Sequence, residues 1–563
     1  MNASKHQPLL SRPLTAVMMA LVLAYPMTAV QAQVPTDEKA QLEQLRNTTY
    51  GLIQALIDAG LITKEKADGL LARAQQQAQA APAQPVVPAD LPAEGAKPRS
   101  VIRVPYVSES LKAEMRDEVK RDVLAQARTE RWGEPGALPS WMNRITLEGD
   151  VRARWQYEDW ANDNTAASVF YQQGDSPAWA PDLVSTTANR NRMTLRARLG
   201  LSSDLKFGFK ASLRLSTGSA GPVSTSQTLG GSDGNLSKYA VWVDRASIQW
   251  DGYTPDITLS AGRMANPFSG SDLAWPDDLN FDGVAGCYQF KLNDANQVYA
   301  TAGAFPLQEF AVASTDKWLY GVQMGANLSL DPANKFSLGL AMYDFKGVAG
   351  VSDSAPAPTG ALAKSVGYLD SQYPGSVRQK GNTLIRLNTE PTAQTAAPVW
   401  GLASKFKPLV LTLGYQTTAM ESVVFKASAD LIKNTAFDLA EINRRTAAPI
   451  ELAERTSAAQ VRVQLGSPKQ ELRGDWSAFA TWRKVERDAW VDAFTDTTWH
   501  LGGTNYSGWS LGGAYYVGPR TSAGLRMTST RNLEDGVLIS GVPNVSSATM
   551  KIDVIQLELN SRF

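Results

Sequence analysis

From residue 144 to the C-terminus the chain repeats with period two, and this repeat limits the fold more than any other feature. In the first run Ile145, Leu147, Gly149, Val151, Ala153, Trp155 and Tyr157 share one face. Thr146, Glu148, Asp150, Arg152, Arg154, Gln156 and Glu158 share the other. Met193, Leu195, Ala197, Leu199 and Leu201 alternate in the same way with Thr194, Arg196 and Arg198, and Ile555, Leu557 and Leu559 with Gln556, Glu558 and Asn560. A soluble β-sandwich also alternates, because one face of each sheet meets water. Three features favour a membrane-spanning barrel. The runs reach ten residues or more, longer than the roughly five or six usual for soluble strands. Aromatic residues (Trp155, Tyr157, Trp250, Tyr288, Phe290, Trp318, Phe563) sit near run ends, where an interfacial girdle belongs. Connections alternate between tight turns at 202–204, 330–332 and 518–520 and long segments at 159–188, 218–238 and 347–397.

The expected fold is therefore an all-β transmembrane antiparallel barrel over residues 140–563, of about 16 strands, with 18 as the second choice. Strand 2 is expected at 189–201, strand 3 at 205–217 and strand 10 at 399–416, where Pro408 marks a bulge or an extra hairpin. The averages conceal this pattern. Net charge is zero, from 55 basic and 55 acidic residues, and mean hydropathy is −0.24. Both are what two opposite faces give when they cancel.

The N-terminal quarter reads differently. Lys5 and Arg12 precede an apolar run from Leu14 to Ala24, followed by Val30-Gln31-Ala32. This is the pattern of a secretory signal peptide over residues 1–32. Residues 33–77 read as a helical hairpin with an apolar stripe at Leu42, Leu45, Leu52 and Leu56, broken at Gly60. Residues 78–105 hold Pro82, Pro85, Pro88, Pro92, Pro98 and Pro105 and read as an extended linker. Residues 106–139 read as a helix and connection, with Leu111, Met115, Val119 and Val123 on one stripe. That stripe is open to self-association or to docking on another surface.

Composition excludes several chemistries. A balanced charge argues against nucleic-acid binding. One cysteine, Cys287, allows no intrachain disulfide, and it reads as a small apolar residue facing lipid or a turn. Without residues 1–32 the only histidine is His500, so a two-histidine metal site is excluded. Hydrolytic chemistry would have to rest on His500 with Ser507 or Asp496; the expectation is that the protein is not an enzyme and carries no cofactor. Asp277, Asp278 and Asp282, and again Asp488, Asp492 and Asp496, are oxygen-rich groups that read as Ca²⁺ ligands or, more simply, as solvated loop charges.

A sheet that spans lipid must close, since an open edge leaves backbone groups unpaired. Sixteen strands enclose water. The expected pore-lining set is Arg152, Arg154, Arg190, Arg192, Arg196, Arg198, Lys206, Lys210 and Arg214, with Glu148 and Asp150 as acids, and Glu158 beside them. Such a cationic ladder favours anions, unless acids from loops balance it. Asp370, Arg378 and Lys380 lie in the longest loop, which reads as an inward constriction or an external flap.

Several segments together resemble the Gram-negative outer-membrane family of putative porins: Arg103–Glu109, Glu130–Gly133, Gly149–Arg154, Pro222–Gly231, Gly262–Phe268, Ala302–Glu309, Asp492–Asp496, Leu501–Asn505 and Gln556–Phe563. The resemblance covers nearly all of the chain beyond the signal segment. It implies an outer-membrane β-barrel with a helical periplasmic N-terminal extension, passing small hydrophilic solutes by diffusion or one solute specifically. It also implies contact with outer-membrane lipid and lipopolysaccharide, and, as in porins generally, a homotrimer. Phe563 looks like the signal read by the β-barrel assembly machinery. A tether that reaches peptidoglycan through the N-terminal region is the structural alternative.

Overall fold

The computed structural model describes residues 142–563 apart from 167–184, 232–233, 253–255, 311–315, 353–369, 389–398, 421, 447–448, 450, 535–538 and 541–548. These all fall in the compact unit Ala125–Phe563. The signal segment, the helical hairpin, the linker and the third helix lie outside the described residues.

Sixteen long strands follow the alternating pattern. They are β1 (Ile145–Trp160), β2 (Arg190–Lys206), β3 (Phe209–Ser216), β4 (Trp242–Asp251), β5 (Ile257–Ala265) and β6 (Asn280–Lys291). Next come β7 (Gln297–Gln308), β8 (Lys317–Ser329), β9 (Asn334–Lys346), β10 (Pro408–Met420) and β11 (Val423–Asn434). The last are β12 (Ser457–Gly466), β13 (Trp476–Val485), β14 (Tyr506–Gly518), β15 (Thr521–Asn532) and β16 (Lys551–Arg562). Each pairs antiparallel with its sequence neighbours. The ring closes where β16 pairs with β1, from Asp150↔Arg562 to Trp160↔Ile552. Phe563 extends the seam through reciprocal backbone bonds of 3.1 Å with Gly149. Its ring lies over Gly149, where a Cβ would come within 2.4 Å of it.

Outward positions are apolar and exposed, such as Leu147 at 58% and Met324 at 71%. In a soluble protein so wide an apolar surface would not stay free; around a closed ring it matches lipid. Outward rings stack in pairs at both margins: Trp155 on Tyr157 and Trp318 on Tyr320 at one end, Phe209 beside Trp250 and Phe336 beside Tyr415 at the other.

Some boundaries differ from the pattern-based expectation. β2 runs on to Lys206, and the chain turns at Phe207–Gly208, not at 202–204. Lys206, Phe207 and Gly208 all have positive φ, and the Asp204 carboxylate accepts from the Lys206 amide. Alternation passes through a two-residue turn without a break, so the pattern could not place it. The expected strand at 399–416 begins only at Pro408. Trp400–Leu402 leaves the barrel for a small sheet with Leu384–Arg386 and Ile539–Ser540. Cys287 pairs with Thr258 and Thr301 on the inner face, not the lipid face.

A bulge opposite Arg214 and Leu215 inserts Asp244 into β4. The extra residue breaks the strict alternation and brings the Asp244 carboxylate to 2.5 Å from Arg214.

The two faces predict unequal responses to the same charge. Leu340→Arg, on the outer face midway along β9, should lower stability by about 2–4 kcal/mol. Ser428→Arg, on the inner face of β11, should change it little. Urea unfolding in lipid vesicles checks this, and equal losses would contradict the assigned faces.

Candidate functional site

The segment 266–279 between β5 and β6 does not stay at the rim. Phe268 fits against Gly321, where a Cβ would sit 2.5 Å from its ring, and stands edge-on to Phe281, Phe305 and Tyr343. Ser269 and Gln323 of β8 exchange two hydrogen bonds of 2.8 and 2.6 Å. Trp275 packs edge-on against Phe281, Tyr343 and Trp490. Apolar burial thus holds the segment inside the ring, along the wall of β5–β9.

Its acids reach the other walls. Asp272 lies 2.8 Å from Arg483 on β13, eight strands from β5 in a ring of sixteen and so on the opposite wall. Asp272 also accepts from Gln460 at 2.9 Å. Burial opposes the charge of Asp272, but Arg483 outweighs it and holds the carboxyl well below the usual carboxylate range. Asp278 lies 3.4 Å from Arg196 and 3.3 Å from Arg198 on β2. Burial opposes its charge too, and those two arginines with Arg152 again win. Asp277, between the two, is raised by burial and then by its acidic neighbours. The segment therefore crosses the lumen between two arginine groups.

The predicted inner residues divide on inspection. Arg196 and Arg198 share Asp150 at 2.9 and 2.6 Å. Arg154 pairs with Glu558 at 2.5 Å and Arg192 with Glu158 at 2.9 Å. Arg152 donates to Ser226 at 2.7 Å. Arg190 faces Glu158 in register and lines a loop-side cavity of about 1130 Å³ with Arg192, Arg378 and Lys380. Lys210 pairs with Asp251 at 2.7 Å and is half exposed at the short-turn end. Glu148, also near that end, lies over Gly200. Lys206 does not join the set; it sits on the turn.

Sequence reasoning passed over four further arginines. Arg245 donates to Asn280 at 2.7 Å. Arg462 and Arg526 both lie over the Phe479 ring, at 4.0 and 5.3 Å. Arg483 is buried over Trp499 at 4.3 Å. Alternation in β12, β13 and β15 was enough to put Arg462, Arg483 and Arg526 inward, but only the ring brings them near β1 and β2. The arginines occupy β12, β13, β15 and β1–β4. Mid-strand inner residues on the other side include the neutral Cys287, Thr301, Gln323 and Thr412, with the acid Asp430 beside Thr412.

The loop 347–397 reads as an inward constriction or an external flap; a segment that does cross the lumen is 266–279, where the apolar Phe268, Leu273 and Trp275 bury. Residues 370–388 of the longer loop pack on 486–505 at the long-loop end. Asp488 accepts from the Thr383 amide and hydroxyl at 2.9 and 2.6 Å, Asn382 donates to the Arg487 and Trp490 carbonyls at 2.8 Å, and Tyr373 donates to Asp492. Arg378 and Lys380 are buried. Asp277, Asp278 and Asp282 are not one cluster: Asp282 pairs with Arg263 at 2.6 Å. Among the described residues no three acidic, histidine or cysteine side chains form a metal-binding group. His500 is buried, 3.0 Å from Thr530 and stacked on Tyr506, while Asp496 is taken by Thr498. Ser507 points outward, so no nucleophile–base pair forms.

Burial pushes Asp492 up to about 6, against the pull of Tyr373 and Arg378. Its neutral form is thus the better fit for the docked loops. The contribution is full below the exposed carboxylate range and is lost as pH rises through about 6. His500, in the same loop, is depressed by burial and acts in the opposite sense. The Asp492 share is therefore the difference from Asp492→Asn. Amide exchange across 370–388 should show wild-type protection falling from pH 5 to pH 8 relative to that variant; parallel profiles would contradict this.

Among curated proteins none matches the chain by sequence. Solved structures similar to it include an anion-selective porin from Comamonas acidovorans, at 11% identity over 74% of this chain and 99% of that one, with a TM-score of 0.37. The outer membrane channel DcaP of Acinetobacter baumannii matches at 10% identity over 74% and 97%, with a TM-score of 0.37. OprB of Pseudomonas putida matches at 10% over 75% and 95%, with a TM-score of 0.41. Likeness at this level says nothing of solute or selectivity. The family model described as Putative porin matches residues 46–563. With its closed sixteen-strand barrel, the chain belongs to this outer-membrane porin family.

Proposed function

We propose that the protein is a diffusion channel for small hydrophilic solutes with a preference for anions. One observation carries this reading. Arg152, Arg245, Arg462 and Arg526 end on the neutral acceptors Ser226, Asn280, Gln464 and Thr498. Their charge is not cancelled by the acids that pair Arg154, Arg192, Arg196, Arg198, Arg214 and Arg483. Cationic cavities lie on either side: Arg190, Arg192 and Arg378 toward the long loops, and Lys335, Lys426 and Arg462 toward the short turns. An anion would meet positive charge along the whole path. Asp272 and Asp278, crossing between arginine walls, also suit a crossed-field constriction without strong preference, and the same measurement separates the two.

Reversal potentials of the full-length protein in planar bilayers under a KCl gradient should have the sign of an anion-preferring channel. Arg152→Gln with Arg526→Gln should lower the anion-to-cation ratio by roughly twofold or more. Clear cation selectivity of the wild type would reject the reading. Cys287 offers a second measure inside the lumen: an anionic methanethiosulfonate should modify it faster than a cationic one.

We also read Phe563 as the assembly signal as well as a seam residue. Removing it should reduce the heat-modifiable barrel recovered from outer membranes while in-vitro refolding in detergent is largely kept. Equal loss in both would leave it only a structural role. The longer loops are read as facing outward from the cell and the short turns as facing the periplasm.

A further inference from the structure

The aromatic side of the lumen holds a cavity that the channel reading leaves unused. Its volume is about 410 Å³, and it is lined from β5–β9, from the crossing segment and from the loops 370–388 and 486–505. Trp275, Phe281, Phe305, Phe345 and Phe494 supply most of its ring surface. Phe345 stacks on Phe494 at 6.0 Å, and Trp275 and Phe305 each stand edge-on to Phe281 at 4.9 Å. Rings packed on rings hold this wall in place. A mostly apolar lining with a few polar groups, in a volume of roughly 300–1,000 Å³, is the make-up of a small-molecule site.

The charges at its edge do not cancel. Arg263 is taken by Asp282 at 2.6 Å. Lys317 is 6% exposed, and among the described residues no carboxylate lies within ion-pair distance of it. Asp370 is the acid whose charge it feels, from beyond that distance. The Lys317 ammonium donates to Gln308 Oε1 at 3.0 Å and to the Gln372 carbonyl, and it stands 5.4 Å from the Phe310 ring. An ammonium has three N–H donors, and these two acceptors are neutral. A buried cation without a counter-charge is unfavourable, and an anion in the cavity would offset that. The cavity also shares Pro222 and Val377 with the cationic cavity of about 1130 Å³ that holds Arg190, Arg192 and Arg378, so the two adjoin. An anion drawn into the larger space has ring surface beside it. A bare inorganic anion would lose hydration against those rings, and a neutral ring would leave Lys317 unpaired. A molecule that carries both a ring and a carboxylate satisfies both walls.

We propose that this cavity binds aromatic carboxylates. The ring lies among Trp275, Phe305 and Phe345, and the carboxylate accepts from the Lys317 ammonium. This goes beyond the anion preference of the channel, which sums the charge of the whole lumen, whereas the cavity selects one kind of anion by its ring.

Saturation-transfer NMR titrations of the full-length protein in lipid nanodiscs at neutral pH, with empty nanodiscs subtracted, test it. The probes are benzoate, its neutral counterpart benzamide, and acetate. Benzoate should bind saturably, and the other two about tenfold more weakly or less. Lys317→Gln should weaken benzoate by about tenfold, the loss of one charge-assisted contact, and leave benzamide unchanged. Lys317→Arg should keep most of the benzoate affinity. Leu307→Trp, which adds bulk to the cavity wall and leaves the lysine in place, should weaken benzoate as well. All variants are read on protein that migrates as a heat-modifiable barrel. Benzamide binding as tightly as benzoate, or benzoate indifferent to Lys317→Gln, would overturn the carboxylate assignment. Acetate binding as tightly as benzoate would overturn the ring assignment. Indifference of benzoate to Leu307→Trp would place it elsewhere and overturn the site. The readout is binding at one cavity, so its failure is distinct from a failure of the reversal potentials in KCl.

Discussion

Pairing between the last strand and the first governs the rest of this molecule. In lipid an unpaired backbone amide or carbonyl has no water to turn to, so sixteen strands have one way to satisfy their edges, which is to close. The β16–β1 register, finished by the bonds between Gly149 and Phe563, does this. Closure gives each strand one face toward lipid and one toward the lumen. It also carries β12, β13 and β15 around until their arginines face the same water as those of β1–β4.

A ring this wide would be an open tube, and loop burial narrows it. Segment 266–279 is held by aromatic packing on one wall and by ion pairs on two others. The apolar contacts fix its place, and the carboxylates fix its charge in the lumen. Asp272 and Asp278 are each stabilised by arginines that strand alternation had already turned inward. Above it, 370–388 and 486–505 interlock through Asp488, Asp492 and Asn382 on the aromatic side of the lumen. The arginine side keeps partly exposed guanidinium groups.

The strand count and the alternation of faces were legible in the sequence, since a period of two is local and needs no partner to be seen. Errors fell where local pattern and tertiary demand part. The Lys206–Gly208 turn preserves alternation and so hides itself. The Asp244 bulge breaks alternation for one residue, which a pattern absorbs as noise. Asp277 and Asp278 looked like solvated loop acids because nothing near them in sequence is basic. Length drew attention to 347–397 as a constriction or a flap, whereas the shorter 266–279 carries rings that bury inside the ring.

By itself the sequence determined that the chain would present an apolar and a polar face over some four hundred residues, that it would close, and that its first strands would be basic inside. Side-chain alternation is an intrinsic property of extended backbone, and closure follows from the solvent. Only the tertiary structure decided which loop enters the lumen, which arginines remain unpaired by acids, and where a ring-lined cavity meets a buried lysine. Those depend on residues hundreds of positions apart meeting across the ring, and their energies come from contacts that no local period records.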